Sequence, residues 1–239
     1  MTPFATIRAR AEARKGGPEA LKALLPHDPE PGVLAKVADD RVLAAMAKRI
    51  FSAGFVWSVI DTKWPGFEEA FLGFDPNRLT FEPDEFWERL VGDTRIVRNP
   101  QKIMAVRANA QFVLDVAREH GSFGAFLEAW PRDDQVGLMT LLGARGTRLG
   151  GATAQYFLRF IGFDGFITSL DVIACLRDAG LDIAGTPTSR RDLAKIQAQF
   201  NAWRAETGLS ATQIARICAM SIGENYSTDM LRERAGRDD

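Results

Sequence analysis

A glycine-rich turn flanked by arginines has residue types suited to binding an anion. Residues 141–161 contain three arginines, no acidic residue and four glycines: Gly143, Gly146, Gly150 and Gly151. Glycine permits positive φ angles and a close approach to a ligand, and the first amides of a following helix point outward. The segment predicts a helix, a hairpin and a second helix, whose start near Thr153 can bind phosphate. A tight turn with solvated arginines is the alternative.

A second basic segment, residues 95–107, also contains no acidic residue and has a net charge of +4. Arg98, Asn99 and Lys102 lie there at the predicted start of a helix. Two roles are open: contact with a nucleic-acid backbone, or capping by Asn99 with solvated charges around it. The whole chain has a formal net charge of -1, which excludes indiscriminate nucleic-acid binding but permits a local basic face.

Apolar residues recur with helical spacing through most of the chain, and alternating strand patterns are scarce. Two examples are Leu43, Met46, Ala47, Ile50 and Phe51, and later Leu193, Ile196, Phe200 and Trp203. We therefore predict an all-α fold of many short helices. With 46 % hydrophobic residues and almost no net charge, a wholly disordered chain is excluded.

Several classes of protein are disfavoured by what the sequence lacks. No apolar run reaches the roughly 18 residues of a membrane span, and the first residues lack the apolar core of a secretory signal. The only cysteines, Cys175 and Cys218, have no nearby metal ligand, so we expect no metal, no cofactor and no disulfide. These features predict a cytoplasmic monomer with reduced thiols.

Two stretches carry ordered motifs: residues 53–76 read AGFVWSVIDTKWPGFEEAFLGFDP, and residues 95–114 read RIVRNPQKIMAVRANAQFVL. Both resemble the 3-methyladenine DNA glycosylase I family, within the helix-hairpin-helix DNA glycosylase superfamily. Residues 149–163 look like the hairpin and second helix of that superfamily, although Arg148 stands where the hairpin usually has its first glycine. The resemblance covers about residues 38–222.

The resemblance implies an all-α, two-lobed enzyme that flips a damaged base out of double-stranded DNA. It implies a central lobe of residues 57–165 and a terminal lobe of residues 31–56 plus 166–225, with the base pocket between them. Residues 1–30 are expected to form an N-terminal extension and residues 226–239 a C-terminal tail, whose last residues, LRERAGRDD, are expected to be frayed.

Four side chains are candidates for the base pocket: Arg49, Phe55, Trp57 and Trp64. The resemblance gives Trp57 a stacking role, whereas spacing alone leaves core packing open for the aromatic residues. An aromatic face would attract 3-methyladenine, which is a cation. The family usually has a glutamate where this chain has Arg49, which either forms an ion pair at the helix edge or lines the pocket. The sequence therefore predicts a 3-methyladenine-like base, or a neutral damaged base if Arg49 lines the pocket.

Asp171 is the candidate catalytic residue, because the wider superfamily has an aspartate after the hairpin helix. Such a carboxylate would stabilise positive charge on the sugar as the N-glycosidic bond breaks. The alternative role is capping of the following helix. Ala152 stands where bifunctional members have a lysine, so the resemblance implies a monofunctional enzyme that leaves an abasic site. It also implies DNA contacts by the hairpin residues: Gly146, Arg148, Gly150, Gly151 and Thr153.

The family's terminal zinc ligands have no counterpart here. With Arg49 in place of the glutamate, this leaves two other functions open. One is a module of the same fold that binds damaged DNA without cleaving it, and the other is a helical scaffold that no longer binds DNA. Release of free base separates the enzyme from both, and a steep salt dependence of DNA affinity separates the module from the scaffold.

Overall fold

The computed structural model describes residues 1–227 and residue 230, and this part of the chain contains helices and no strands. Its α-helices are α1 (Phe4–Lys15), α2 (Pro18–Lys22), α3 (Asp39–Ser52), α4 (Trp57–Ala70), α5 (Pro76–Phe81), α6 (Asp84–Gly92), α7 (Pro100–His120), α8 (Phe123–Ala129), α9 (Gln135–Arg145), α10 (Ala152–Phe160), α11 (Leu170–Asp178), α12 (Arg190–Thr207) and α13 (Ala211–Ser221). Short 3₁₀ turns occupy Leu34–Lys36 and Leu72–Phe74. The prediction of an all-α fold is confirmed.

Side-chain caps fix two helix starts at serines that lie three residues before a polar side chain, which is the spacing of a capping box. Ser189 accepts a hydrogen bond from the Asp192 amide and so begins α12. Ser210 accepts one from the Gln213 amide, while the Gln213 side chain accepts one from the Ser210 amide, which completes a capping box for α13. Each cap satisfies amides that the helix itself leaves free.

The chain forms two compact units. The terminal unit comprises Met1–Pro29, Arg132–Val136 and Asp164–Asp239, and the central unit comprises Glu30–Pro131 and Gly137–Phe163. Each unit has its own buried apolar cluster, so each can be stabilised by its own hydrophobic core.

Helix α3 lies in the middle of the central unit, where it packs against α4, α7, α8 and α10. The apolar stripe that the sequence predicts on this helix is buried: Leu43, Met46, Ala47, Ile50 and Phe51. The sequence prediction assigned residues 31–56 to the terminal lobe. The structure differs, because burial of this stripe requires the neighbouring helices of the central unit.

The N-terminal residues, predicted to be an extension, form part of the terminal unit's core. Phe4, Ile7 and Ala11 of α1 are buried, and the ring of Phe4 lies 5.2 Å from that of Trp203. Full burial of such a phenylalanine contributes about 2 kcal/mol. The narrow apolar stripe of α1 lies among four arginines and lysines, and this composition led to the prediction of an appended arm.

No α-helix in the described part of the chain is long and apolar enough to cross a membrane. The stretch LRERAGRDD, residues 231–239, was predicted to be frayed and lies outside the described residues.

Candidate functional site

Exposed apolar residues gather where α3 is joined to α4. Phe55, Val56, Trp57 and Val59 are exposed by 42, 69, 37 and 42 % respectively, and we call these four residues the apolar patch. Gly54 precedes them with a φ of 74°, a conformation that favours glycine and lets the chain turn out of α3. Apolar side chains that gather at one exposed turn are typical of a binding surface.

Trp57 begins α4 and packs against α10. Its ring meets those of Tyr156 and Phe160 edge-on, at centroid distances of 5.2 and 5.7 Å. Tyr156 and Phe160 lie four residues apart and therefore share one face of α10. The sequence analysis missed both residues, although this spacing was a visible signal. The helix that follows the hairpin thus supports an indole ring that remains partly exposed.

Arg49 lies in the last turn of α3 and is only 7 % exposed. Its guanidinium carbon lies 4.9 Å from the ring centroid of Trp57 and 4.0 Å from that of Phe160. These contacts place a positive charge on the aromatic faces themselves. The structure therefore brings together two of the four predicted base-pocket residues.

Trp64 lies within an aromatic stack of the central unit. Its ring is stacked on those of Phe67 and Phe74, at 5.4 and 5.3 Å. Its Nε1 donates a hydrogen bond to Glu68 at 3.0 Å, and the ammonium of Lys48 lies 5.4 Å from the ring centroid. Stacking, a hydrogen bond and a cation on the ring together fix its orientation, which suits core packing.

Lys102 is buried beneath the apolar patch. Its ammonium donates hydrogen bonds to the carbonyl oxygens of Phe51 and Ala53 at 3.1 and 2.6 Å, and so satisfies acceptors at the end of α3. The ring centroid of Phe55 lies 4.6 Å from the ammonium. Burial lowers the pKa of Lys102, and the positive charge of Arg148 lowers it further. The side chain supports the turn that carries the apolar patch.

Asn99 is the N-cap of α7, since its side-chain oxygen accepts a hydrogen bond from the Lys102 amide at 3.1 Å. Arg98 beside it is exposed, and within the described part of the chain it forms no hydrogen bond or ion pair. Of the two roles left open by the sequence, Asn99 therefore performs the capping role. The Arg98 guanidinium is accessible to an anion.

The hairpin between α9 and α10 is attached to α7 by a buried amide. The Asn109 side chain donates to the carbonyl of Thr147 at 3.0 Å and accepts from the Thr147 amide at 2.8 Å. The next residue, Arg148, has a φ of 61°, and its side chain donates a hydrogen bond to Gln101. This left-handed backbone explains why a glycine is usual at the position. Asn109 was missed as a site residue, although it lies in the Asn-Ala pair of the second motif.

The start of α10 is open to a ligand. A Cβ built at Gly150 or Gly151 would meet no atom within 4 Å, and Gly151 ends the hairpin without a side-chain cap. The first amides of α10, including that of Thr153, therefore lack a capping side chain and suit an anion. Gly146 serves packing instead, because a Cβ there would lie 2.7 Å from the carbonyl oxygen of Leu142.

Ion pairs reduce the basic face that the sequence predicts. Arg95, Arg107 and Arg145 bind acidic residues outside the two basic segments, at 2.7 Å each: Asp93, Asp84 and Glu119. Arg98 and Arg148 have no carboxylate partner among the described residues. The accessible positive charge is therefore concentrated at the start of α7 and in the hairpin.

Asp171 lies in the terminal unit, in the first turn of α11. Ser169 caps this helix by accepting a hydrogen bond from the Val172 amide at 3.3 Å, so the capping role left open for Asp171 belongs to Ser169. Asp171 is half-buried, and no described residue forms a hydrogen bond or ion pair with its carboxylate. Such a carboxylate is available to a positive charge.

The two cysteines do not belong to a cluster of metal-binding side chains. Cys175 and Cys218 are buried free thiols, and the Cys175 sulfur lies 3.4 Å from the Ser221 hydroxyl. Among the described residues, no group of three or more His, Cys, Asp or Glu side chains is placed to hold a metal ion.

Known proteins resemble this chain in sequence and in fold. Residues 22–138 match the family model described as methyladenine glycosylase. The 8-oxoguanine DNA glycosylase of Methanocaldococcus jannaschii is similar with a TM-score of 0.56 and 15 % identity, over 92 % of this chain and 95 % of that chain. The 8-oxoguanine glycosylase/lyase from the same organism, in complex with a 15-mer DNA containing 8-oxoguanine, is similar with a TM-score of 0.52 and 15 % identity. The match covers 93 % of this chain and 100 % of that chain.

A variant of 3-methyladenine DNA glycosylase I in complex with 3-methyladenine is also similar, with a TM-score of 0.50 and 21 % identity over 76 % of this chain and 99 % of that chain. At these identities the structural likeness shows the fold. The family match supports the predicted function, a DNA glycosylase acting in base repair. The predicted resemblance is confirmed: over residues 22–138 the chain matches the methyladenine glycosylase family, and its fold is similar to that of the 8-oxoguanine DNA glycosylase of Methanocaldococcus jannaschii.

Proposed function

We propose that the protein is a monofunctional DNA glycosylase that hydrolyses the N-glycosidic bond of a damaged base in double-stranded DNA. The observation that carries the proposal is the exposed indole of Trp57, which lies inside the matched segment and is supported by the helix after the hairpin. Enzymes that act on a base must extract it from the stack, and a flipped base stacks on aromatic side chains. Trp57 provides such a surface.

The hairpin binds the DNA backbone in this proposal. Its arginine and the uncapped amides of α10 supply hydrogen-bond donors and positive charge for a phosphate, and Arg98 supplies a further cation. The apolar patch lies on the same unit and is suited to contact with bases rather than phosphates. These features support a single DNA-binding surface on the central unit.

Arg49 indicates the class of base. Like charges that lie close together in a site shielded from water repel each other. A cationic base stacked on Trp57 would therefore be disfavoured by the guanidinium that already contacts this ring. A guanidinium does donate hydrogen bonds to carbonyl and ring-nitrogen acceptors. We infer that a neutral purine with a carbonyl group, such as hypoxanthine, is preferred over 3-methyladenine.

Asp171 supplies the carboxylate in this mechanism. When the bond from C1′ to the base nitrogen breaks, the electron pair leaves with the base and the sugar becomes positively charged. The free carboxylate of Asp171 would stabilise that charge and accept a proton from the water whose oxygen bonds to C1′, while the departing base takes up a proton from solvent. Ala152, at the position of the lyase lysine, cannot form a covalent adduct with the sugar. The proposal therefore includes no strand cleavage.

We also propose that the protein acts as a monomer in the cytoplasm, as the sequence predicts.

The direct test of the proposed function is base release from duplexes that carry hypoxanthine or 3-methyladenine, measured under single-turnover conditions. We expect release of both bases to be lost in Trp57→Ala, with hypoxanthine preferred by the wild type. A clear preference for 3-methyladenine would contradict the inference from Arg49, and unchanged release in Trp57→Ala would contradict the stacking role.

A module that binds damaged DNA without cleaving it is the second candidate. The observation that favours it is the buried Arg49 in place of the family's glutamate. It predicts tight, salt-dependent binding of damaged duplex with no free base released from any substrate. The same assay, combined with a binding titration, therefore separates the two functions.

A further inference from the structure

The N-terminal helix α1 holds the segment that follows α13 through the side chain of Arg14. Its Nε donates a hydrogen bond to the carbonyl oxygen of Met220 at 3.0 Å. Its Nη2 donates to the carbonyl oxygens of Ile222 and Gly223 at 3.4 and 2.7 Å. A single guanidinium thus spans the end of α13 and the residues beyond it, and satisfies carbonyls that the helix leaves free.

A second cation strengthens the same attachment. Lys15 is 6 % exposed, and its ammonium donates to the side-chain oxygen of Asn225 at 2.8 Å and to the Tyr226 carbonyl oxygen at 2.7 Å. The Asn225 side chain donates back to the carbonyl oxygen of Arg14 at 3.2 Å. Charge-assisted hydrogen bonds are stronger than neutral ones, so the last turn of α1 fixes the course of residues 220–226.

The attached segment packs directly on Asp171. A Cβ built at Gly223 would overlap Oδ1 of Asp171 and lie 3.1 Å from its carboxyl carbon. Gly223 therefore lies in close contact with the carboxylate, with no room for a larger residue. No described side chain forms a hydrogen bond or ion pair with that carboxylate, so packing against the Gly223 backbone limits its rotation.

We propose that Arg14 and Gly223 are positioning residues for Asp171: α1 holds Gly223 against the carboxylate and thereby fixes the orientation in which Asp171 faces the sugar. This inference rests on the catalytic role of Asp171 in the proposed function. It gives the N-terminal helix a role in catalysis, although this helix is distant in sequence from the motifs that carry the resemblance.

The sharpest test replaces Gly223 with alanine and uses Gly208 as a matched control. Both glycines have a φ of 70°, a region in which alanine is strained at either position. A Cβ at Gly208 meets nothing within 4 Å, whereas one at Gly223 collides with Asp171. We expect a lower melting temperature for both variants, with the larger decrease for Gly223→Ala, and a decrease of about 10-fold or more in the single-turnover rate for Gly223→Ala alone when both proteins are assayed well below their melting temperatures.

A second variant tests the attachment without crowding the carboxylate. Arg14→Met should lower the single-turnover rate while the dissociation constant for the damaged duplex stays unchanged, and Arg14→Lys should restore part of the rate because an ammonium still reaches one carbonyl. Arg8→Met is the matched control, since Arg8 lies on the same helix and bonds only to Glu12 among the described residues. A rate for Arg14→Met equal to that of Arg8→Met would overturn the proposal.

An Asp171→Asn background distinguishes failure of this inference from failure of the proposed function. If Asp171 is catalytic and positioned by α1, Asp171→Asn is slow and Gly223→Ala slows it no further. If Asp171→Asn is slow but Gly223→Ala in the wild-type background matches Gly208→Ala, the positioning role is wrong and the catalytic role stands. If Asp171→Asn releases base at the wild-type rate, the catalytic role itself is wrong.

Discussion

The guanidinium carbon of Arg49 lies 4.9 Å from the ring centroid of Trp57, so the aromatic surface proposed to receive the base already carries a positive charge. Phe160, from the helix after the hairpin, contacts the same guanidinium at 4.0 Å. This arrangement links two of the stretches that carry the resemblance, because Trp57 lies in residues 53–76 and Phe160 in residues 149–163, while Arg49 lies just before the first. Mutation of Arg49 should therefore change the enzyme's preference between cationic and neutral bases.

Replacing Arg49 with glutamate should invert the charge preference of the site. An acidic group beside Trp57 attracts a cationic base, so the release rate of 3-methyladenine relative to hypoxanthine should rise about 10-fold or more. The ratio of the two single-turnover rates measures this change. Arg49→Met is the matched control, because it keeps an unbranched, uncharged side chain over the rings. Its ratio of 3-methyladenine release to hypoxanthine release should fall between those of the wild type and Arg49→Glu. Equal ratios in all three proteins would show that Arg49 does not face the base.

Lys102 and Arg98 should respond differently to mutation, although both lie in the same basic segment. Lys102→Met leaves the carbonyls of Phe51 and Ala53 without a donor and should lower the free energy of unfolding by about 1–3 kcal/mol. Arg98→Ala should leave stability unchanged and reduce the salt slope of DNA binding by about 1. Urea denaturation and a salt titration of duplex affinity measure the two effects. A reduced salt slope in a folded Lys102→Met protein would contradict the structural role of its ammonium.

Arg148→Gly should raise stability and weaken DNA binding together. The left-handed conformation costs a non-glycine residue about 1 kcal/mol, part of which glycine's greater flexibility in the unfolded chain offsets, so we expect a gain of about 0.5 kcal/mol. Loss of the guanidinium should reduce the salt slope of duplex binding. Arg148→Ala is the control, because it removes the charge but keeps the strain. If the alanine and glycine variants unfold with equal free energies, the strain at this position is negligible.

The buried thiol pair predicts a pH dependence of stability. Hydrogen bonding from Cys218, and then from Ser221, together with the charge of Arg10, lowers the pKa of Cys175 from its ordinary value of 9.0 to about 7. The folded protein therefore releases this proton at a lower pH than the unfolded chain does. The resulting stabilisation is complete above pH 9 and is lost as the pH falls through 7. The difference in the free energy of unfolding between the wild type and Cys175→Ala should therefore increase as the pH rises from 7 to 9. A constant difference over this range would contradict the lowered pKa.

The sequence predicts the helices well because their signals are local. Ser189 and Ser210 cap helices where the box spacing places them, and the stripe of α3 is buried as predicted. Long-range contacts were less visible. The positive charge of Lys102 suggested a DNA contact, but whether a lysine faces solvent or the carbonyls at the end of another helix depends on tertiary packing.

The candidate site was only partly predictable for the same reason. The motifs identified Trp57 and Arg49, but their contact with Tyr156 and Phe160 joins residues about 100 positions apart in the chain. The apolar residues of α1 are few and lie among arginines, so composition obscured a helix that packs into the terminal core. Helix α1 also contacts Gly223 through the single side chain of Arg14. Because such a contact joins distant parts of the chain, no local sequence pattern predicts it.

Catalysis of base release by Asp171 is tested by the single-turnover release of free base from a damaged duplex, compared between the wild type and Asp171→Asn. The wild type should release the base and leave an intact abasic strand, and Asp171→Asn should bind the same duplex with unchanged affinity but release the base about 100-fold more slowly. Tight binding of damaged DNA by the wild type without any release of base would contradict the account.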